Sequence, residues 1–231
     1  MSASPGRFGV PAIAAAIGEP ARARMLLSLM DGRARSSTEL AIIAQVSAPT
    51  ASVHLAKLRA AKLVRTLPAG RNRYYSLQGE EVATALEALS VLAGAVRDAG
   101  AARIPVHLRL ARTCYDHVAG ALGVSWHDRL RELEWLAVDG RAGSYELTAR
   151  GASGLAALGV DVGAVRAQRR RFACACLDWS ERRAHLAGAL GAALLQLALG
   201  HRWVQRQLDS RALRITRVGR RELHARFGLE A

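Results

Sequence analysis

Residues 117–123, HVAGALG, recur as HLAGALG at 185–191, an offset of 68 positions. At the same offset Trp135 aligns with Trp203, Thr148 with Thr216, Gly151 with Gly219 and Leu155 with Leu223. Ten of 39 positions match without a gap, and the shared His, Trp and Thr owe little to a chain rich in Ala and Leu. A duplication of this length constrains the second half of the chain to two related units, too few for a solenoid. Each copy reads as helix, helix, turn, strand, helix, over about residues 112–160 and 176–229, with 162–176 (VGAVRAQRRRFACAC) connecting them.

The rest of the chain must be fitted around that pair. Hydrophobic residues make up 51% of the 231 positions while aromatics are only 5%, a balance that favours helices around a substantial core. There are 33 basic residues against 19 acidic ones, for a net charge of +14. Only Lys57 and Lys62 are lysines. A GC-rich coding bias accounts for arginine over lysine, but not for the shortage of acids, so a polyanionic partner is expected. Cys114, Cys174 and Cys176 do not resemble a secreted disulfide framework. The longest apolar run, Leu186 to Leu199, contains Gly188, Gly191 and Gln196 and is too short to span a bilayer. The N-terminus lacks a convincing cationic start and is interrupted at Gly18, Glu19 and Pro20, unlike a signal peptide. A cytoplasmic protein without a membrane partner is expected.

Residues 1–9 read as a flexible tail and 10–18 as a short helix. Pro20 opens a second helix that runs to Met30 and ends at Asp31-Gly32. Ser36, Ser37 and Thr38 offer N-caps for a third helix, Glu39 to Gln45. Ser47 caps a fourth, with Pro49 in its first turn and Val53, Leu55, Leu58 and Leu63 on a partly apolar face. Val64–Leu67 and Arg73–Leu77 then read as two short strands, joined by a turn over Pro68, Ala69, Gly70, Arg71 and Asn72. Glu80 to Val96 returns to a helical period, and Gly100 and Pro105 mark a boundary. The expected fold is mainly α with small β wings. A winged helix–turn–helix over 10–100 precedes a C-terminal region, 105–231, built from the two copies as winged-helix-like repeats.

Two helices with a tight turn, followed by a basic hairpin, are a duplex-reading constellation. The second helix fits a major groove, and its N-terminal side chains reach base edges. Ala48, Pro49, Thr50, Ser52 and Lys57 lie where such contacts arise. His54 either contacts the duplex or packs against the turn, and Ser47 serves as N-cap or as phosphate ligand. Arg71 and Arg73 flank Asn72 in the hairpin, where they reach a phosphate or a minor groove.

The stretch STELAIIAQVSAPTASVHLAKLRAAKLVRTLPAGRNRYYSL (37–77) resembles the winged helix of the ArsR family. Ser47, Thr50, Ser52, His54, Leu55 and Leu58 match that family's recognition helix. Ala61-Lys62-Leu63-Val64, Gly70-Arg71 and Tyr74-Tyr75-Ser76-Leu77 match its wing, and the resemblance covers about residues 10–98. It implies a homodimer on a near-palindromic double-stranded operator, usually a repressor released by a signal. The helices at 10–18 and 80–97 would form the dimer surface. Metal-sensing members carry cysteines in the helix before the recognition helix. Here that helix, Thr38 to Val46, has none, which excludes that thiolate site. The doubled C-terminal extension is also unlike the compact members of the family.

Two segments of the extension concentrate chemistry: Arg112 to His117, and Cys174 to His185. If the copies pack about a pseudo-two-fold axis, the segments meet. The candidate sensor residues are Cys114, Asp116, His117, Cys174, Cys176, Asp178, Glu181, Arg182 and His185. Cys114 and His117, three apart, would share one helical face, and with Cys176 and His185 they suit zinc or a similar transition metal. Four readings stay open: a metal site, a thiol redox switch, a pocket for a small organic or anionic inducer, and structural packing, with the cysteines as small buried hydrophobes. No phosphate-binding glycine loop, HExxH or G-x-S-x-G occurs, so no enzymatic activity is expected. Two rival functions remain. One is a nonspecific architectural DNA-binding protein. The other is a ligand-binding or redox protein whose winged helix is an interaction module.

Overall fold

Pro11 and Pro20 sit in the first turns of helices α1 (Val10–Gly18) and α2 (Pro20–Ser28), where a missing N–H costs nothing. They open a computed structural model that describes residues 9–69, 72–96, 106–207 and 210–230. The chain divides into two units, 1–83 and 84–231. Most of the expected tail lies outside the described residues, as do Gly100 and Pro105.

In the first unit, the Glu19 carboxylate caps α2 by accepting from the backbone of Ala21 and Arg22 at 3.1 and 2.8 Å. The helix tightens into a 3-10 turn over Leu29–Asp31 and stops at Gly32, whose φ of +74° favours glycine. A two-residue strand β1 (Arg35–Ser36), absent from the sequence reading, precedes α3 (Ser37–Ala44). Ser36 and Glu39 form a reciprocal capping box, which starts α3 two residues before the expected Glu39. Then come α4 (Ala48–Ala60) and the strands β2 (Val64–Ala69) and β3 (Asn72–Leu77). The sheet order is β1-β3-β2. The strands of the wing are longer than expected and pair from Val64↔Leu77 to Ala69↔Asn72, so Pro68, Ala69 and Asn72 of the expected five-residue turn belong to the strands, and Gly70 and Arg71 lie outside the described residues. Pro68 is accommodated because β2 is an edge strand. Met25, Leu26, Leu40, Leu55, Leu58 and Leu77 are buried and form the core. Beside them Arg35 makes a buried two-pronged pair with Asp31 at 2.8 and 2.7 Å. Helix α5 (Glu80–Val96) runs across the unit boundary.

The second unit corrects the order expected for each copy. After α6 (Val106–Leu110), the first copy runs β4 (Arg112–Cys114), β5 (His117–Ala119), α7 (Gly120–Glu132), β6 (Leu136–Val138), β7 (Tyr145–Leu147) and α8 (Ala149–Ala157). After α9 (Val162–Arg166), the second runs β8 (Cys174–Leu177), β9 (Ala184–Ala187), α10 (Gly188–Gly200), β10 (Val204–Arg206), β11 (Leu213–Ile215) and α11 (Arg217–Phe227). Each copy is therefore hairpin, helix, hairpin, helix, and it opens with strands rather than a helix. β4 and β5 are buried at every position. Short strands of that kind lack the alternation that separates them from helix in a sequence.

The repeated residues have repeated duties. Thr148 and Thr216 each donate a hydroxyl 2.7 Å to a carbonyl, Glu134 and Arg202 respectively. Each also caps its helix by accepting from the backbone of Gly151 or Gly219, at 3.0 and 2.9 Å. A Cβ on either glycine would fall 2.4 or 2.0 Å from the carbonyl oxygen of Trp135 or Trp203. The copies exchange strand contacts reciprocally: Thr113 N–H donates to Arg211 O at 2.8 Å and Ala175 N–H to Gly143 O at 2.8 Å. They share one core, in which Trp126 and Trp203 both pack on Phe227, at ring separations of 5.4 and 6.5 Å.

Candidate functional site

The N-terminal candidate is the outer face of α4 and the wing. Ser47 is the N-cap: its hydroxyl accepts from the Thr50 backbone at 3.4 Å and lies 2.8 Å from the Thr50 hydroxyl. Ala51, Leu55 and Leu58 turn inward, while Ala48, Pro49, Thr50, Ser52, Val53 and Lys57 are exposed. The Ser52 hydroxyl donates back to Ala48 O at 3.0 Å. This first turn therefore presents short side chains on a face that a duplex can approach closely. His54 does not belong to that face. Its Nδ1 lies 3.4 Å from Arg22 Nη1 and 3.6 Å from Glu19 Oε2, with the ring 13% exposed. Glu19 and Arg22 thus offer it partners inside the unit. Arg73 is exposed on β3, and Arg71 lies outside the described residues. Arg59, Lys62 and Arg65 are exposed cations near the same elements that the sequence reading passed over. Their position in the last turn of α4 (Arg59) and just after it (Lys62, Arg65) is the available signal.

The second candidate lies where the two copies meet. Cys114 and His117 are not on a helix. They face each other across the β4–β5 hairpin, joined by the two-residue loop Tyr115-Asp116 with Tyr115 at φ +59°. Cys176 and His185 are likewise cross-strand partners in β8–β9. One ligand atom from each of the four falls within 4.8 Å of all the others. The two sulfurs are 3.8 Å apart and the two Nε2 atoms 3.1 Å apart. Cys114, His117 and His185 are buried and Cys176 is half-buried.

Small residues allow this convergence. α7 packs on β9 and α10 on β5, each helix against the other copy's strand. A Cβ on Gly123 would sit 3.5 Å from His185 Cβ, and one on Gly191 would sit 3.2 Å from His117 Cβ. Both would fall 2.4 Å from a carbonyl oxygen, of Val118 and Leu186 respectively. The second glycine of each GALG motif thus keeps open the space that the other copy's histidine strand occupies.

A carboxylate lies beside each ring. Asp116 Oδ1 lies 3.3 Å from His117 Nδ1, and Arg170 pairs with the same carboxylate. Asp178 Oδ2 lies 3.6 Å from His185 Nδ1 and accepts from the Gly120 backbone at 2.7 Å. Its other oxygen accepts from Arg112 at 2.8 Å and from the Ser180 hydroxyl at 2.7 Å. Arg112 stacks over Trp179, 4.6 Å from the ring centroid. Burial opposes charge on Asp178, but Arg112 and these hydrogen bonds outweigh it and hold the carboxyl well below its usual range. Burial also opposes charge on His117, yet hydrogen bonds to Asp116 and Cys176 lift it to about 9. The hydrogen bond between the sulfurs divides them: Cys176, with both histidines beside it, is held low as a thiolate, and Cys114 is pushed up as a thiol.

The remaining sensor candidates separate from this centre. Cys174 is buried opposite Ala187 and bridges Ser144. Glu181 pairs with Arg109 at 3.3 Å. Arg182, at φ +54°, donates its backbone N–H to Asp178 O at 2.8 Å while its side chain is exposed. Arg112, Arg170 and Ser180 were absent from the expected set, because their partners lie 54 to 68 residues away or in a turn whose shape depends on the fold. Between α7 and α10, a cavity lined by Val118, Trp126, Leu186 and Leu194 holds about 10 Å³, room for about one water and no organic ligand. No helix among the described residues is long and apolar enough to cross a membrane.

Residues 19–66 match the family model described as bacterial regulatory protein, arsR family. Over 211 residues the chain is 42% identical to the HTH-type transcriptional regulator YdfF of Bacillus subtilis, covering 90% of this chain and 92% of that protein. Among solved structures, HlyU from Vibrio cholerae aligns at 30% identity over 36% of this chain and 85% of its own, with a TM-score of 0.33. NolR from Sinorhizobium fredii aligns at 30% identity over 40% and 95%, with a TM-score of 0.34. The relationship to YdfF extends through both units, so the duplicated half is part of the shared protein rather than an appendage. The chain is a transcriptional regulator with a DNA-binding helix–turn–helix, and it belongs to the arsR family of bacterial regulatory proteins.

Proposed function

We propose that the protein is a homodimeric repressor that binds a near-palindromic operator and releases it on a signal received by the C-terminal half. Each protomer lays α4 in a major groove, with Ala48, Pro49, Thr50 and Ser52 toward base edges and Lys57 toward the backbone. The wing brings Arg71 and Arg73 to flanking phosphates or the minor groove. The observation that carries this reading is the exposed first turn of α4, small and hydroxyl-bearing, beside a hairpin with an exposed arginine. Residues 10–100 dock and dimerise, and 105–231 sense. The dimer surface draws on α1, which is apolar yet has no buried residue, and on α5, where Leu89 and Leu92 are 44% and 63% exposed. Each C-terminal copy shares with a winged helix only the step from helix to hairpin to helix. That supports a sensing and pairing role for the copies over a second and third DNA reader.

The test is fluorescence anisotropy with duplexes selected from the host genome, competed by random duplex. Strong preference for the selected sites supports an operator-specific regulator, and equal competition points to an architectural protein. Arg71→Ala with Arg73→Ala weakens binding and lowers the slope of log K against log salt by about 0.9 per lost phosphate contact. An unchanged slope removes the wing from the interface.

A further inference from the structure

We infer that Cys114, His117, Cys176 and His185 form a closed four-coordinate site for one divalent transition-metal ion of the zinc class, which ties the two copies together. The distances are those of a coordination tetrahedron. Two thiolates about 2.3 Å from a zinc ion stand about 3.8 Å apart, and two imidazole nitrogens at about 2.0–2.1 Å stand about 3.3 Å apart. The observed separations are 3.8 and 3.1 Å. A disulfide would involve the sulfurs alone and would give no reason for two histidines to aim their Nε2 atoms at one another.

The surroundings have the form of a metal shell. Each ring has its Nδ1 toward a carboxylate, Asp116 or Asp178, which leaves Nε2 to face the centre. His185 Nδ1 has no hydrogen bond in a fully buried position. Two thiolates and two neutral imidazoles balance a divalent cation without leaving net charge in the core, and an S₂N₂ tetrahedron selects zinc over harder ions. Each copy supplies one cysteine and one histidine as a cross-strand pair, so neither half-site holds the ion alone. All four positions belong to protein, which leaves no open position for chemistry.

The regulatory meaning of this site rests on the sensing role proposed above, whereas its existence does not. Operator affinity is a separate measurement, and its failure leaves the metal result standing.

The experiment uses the full chain, stripped of metal and kept reduced, titrated with Co²⁺. The expected result is one cobalt per chain, with the visible bands of a tetrahedral ion and a near-ultraviolet thiolate-to-cobalt band, both removed by Zn²⁺. X-ray absorption of the zinc form should show two sulfurs at about 2.3 Å and two nitrogens at about 2.0–2.1 Å. Cys114→Ser and Cys176→Ser each remove about half of the thiolate band, and Cys174→Ser leaves it in place. Octahedral cobalt, or a thiolate band that depends on Cys174, would overturn the assignment. So would a reduced wild-type protein that takes up no metal while Cys114 and Cys176 readily form a disulfide. The wild-type spectra decide the matter even if a variant fails to fold.

Discussion

Arg112 shows how much the second unit depends on single buried charges. Its side chain is wholly enclosed, bonded to Asp178 at 2.8 Å, to the Ser180 hydroxyl at 2.9 Å and to Leu108 O at 3.1 Å. Removing one partner of such a pair strands the other charge out of water. Arg112→Met should therefore cost about 3–5 kcal/mol in denaturant unfolding, and the double variant with Asp178→Asn should recover part of it. A loss below about 1 kcal/mol would mean that the pair does not hold the hairpins. The exposed pair Arg166–Glu146 sits at 3.2 Å and contributes little by comparison. In sequence Asp178 is only one of the candidate sensor residues, and nothing local separates a ligand pocket from structural packing. The difference is a partner 66 residues away.

At the scale of elements, the two GALG helices are fitted to the strands they cover. Gly191 and Gly200 lie on the same helix, α10, in opposite situations. A Cβ at Gly191 would meet Leu186 O at 2.4 Å, while one at Gly200 would meet nothing within 4 Å. Gly191→Ala should cost about 1–3 kcal/mol through overpacking. Gly200→Ala should be neutral or stabilise by up to about 1 kcal/mol. Thermal unfolding of the two variants side by side checks this, and equal effects would argue against the close approach. The helices of the first unit were legible in sequence because their ends are local: Glu19, Ser36 and Ser47 each cap within three residues. The opening hairpins of the copies were not. Their strands are only three or four residues long, those of the first copy are buried at every position, and Cys114 and His117, three apart, fit a helical face as readily as a two-residue turn.

For the whole molecule, the proposed dimer on a symmetric operator would join through exposed apolar positions of α5, Leu89 and Leu92. Leu89→Glu with Leu92→Glu should convert dimer to monomer in light scattering and weaken operator binding, while leaving metal uptake unchanged. A dimer that survives both changes would place the interface elsewhere. The second unit meanwhile achieves a pseudo-symmetry of its own. Its copies share the aromatic core around Phe227 and exchange backbone bonds through Thr113 and Ala175, so one copy without the other would expose a half-core.

The amino-acid sequence alone determined the helix–turn–helix, the wing that follows it and the duplication, because each is written in spacings of a few residues or in a repeat visible by alignment. It also supplied the four side chains of the buried centre. Their meeting was decided only by the tertiary structure. The partners lie 62 and 68 residues apart, and reciprocal packing of each copy's helix on the other's strand fixes their separation. No local propensity encodes a distance of that kind.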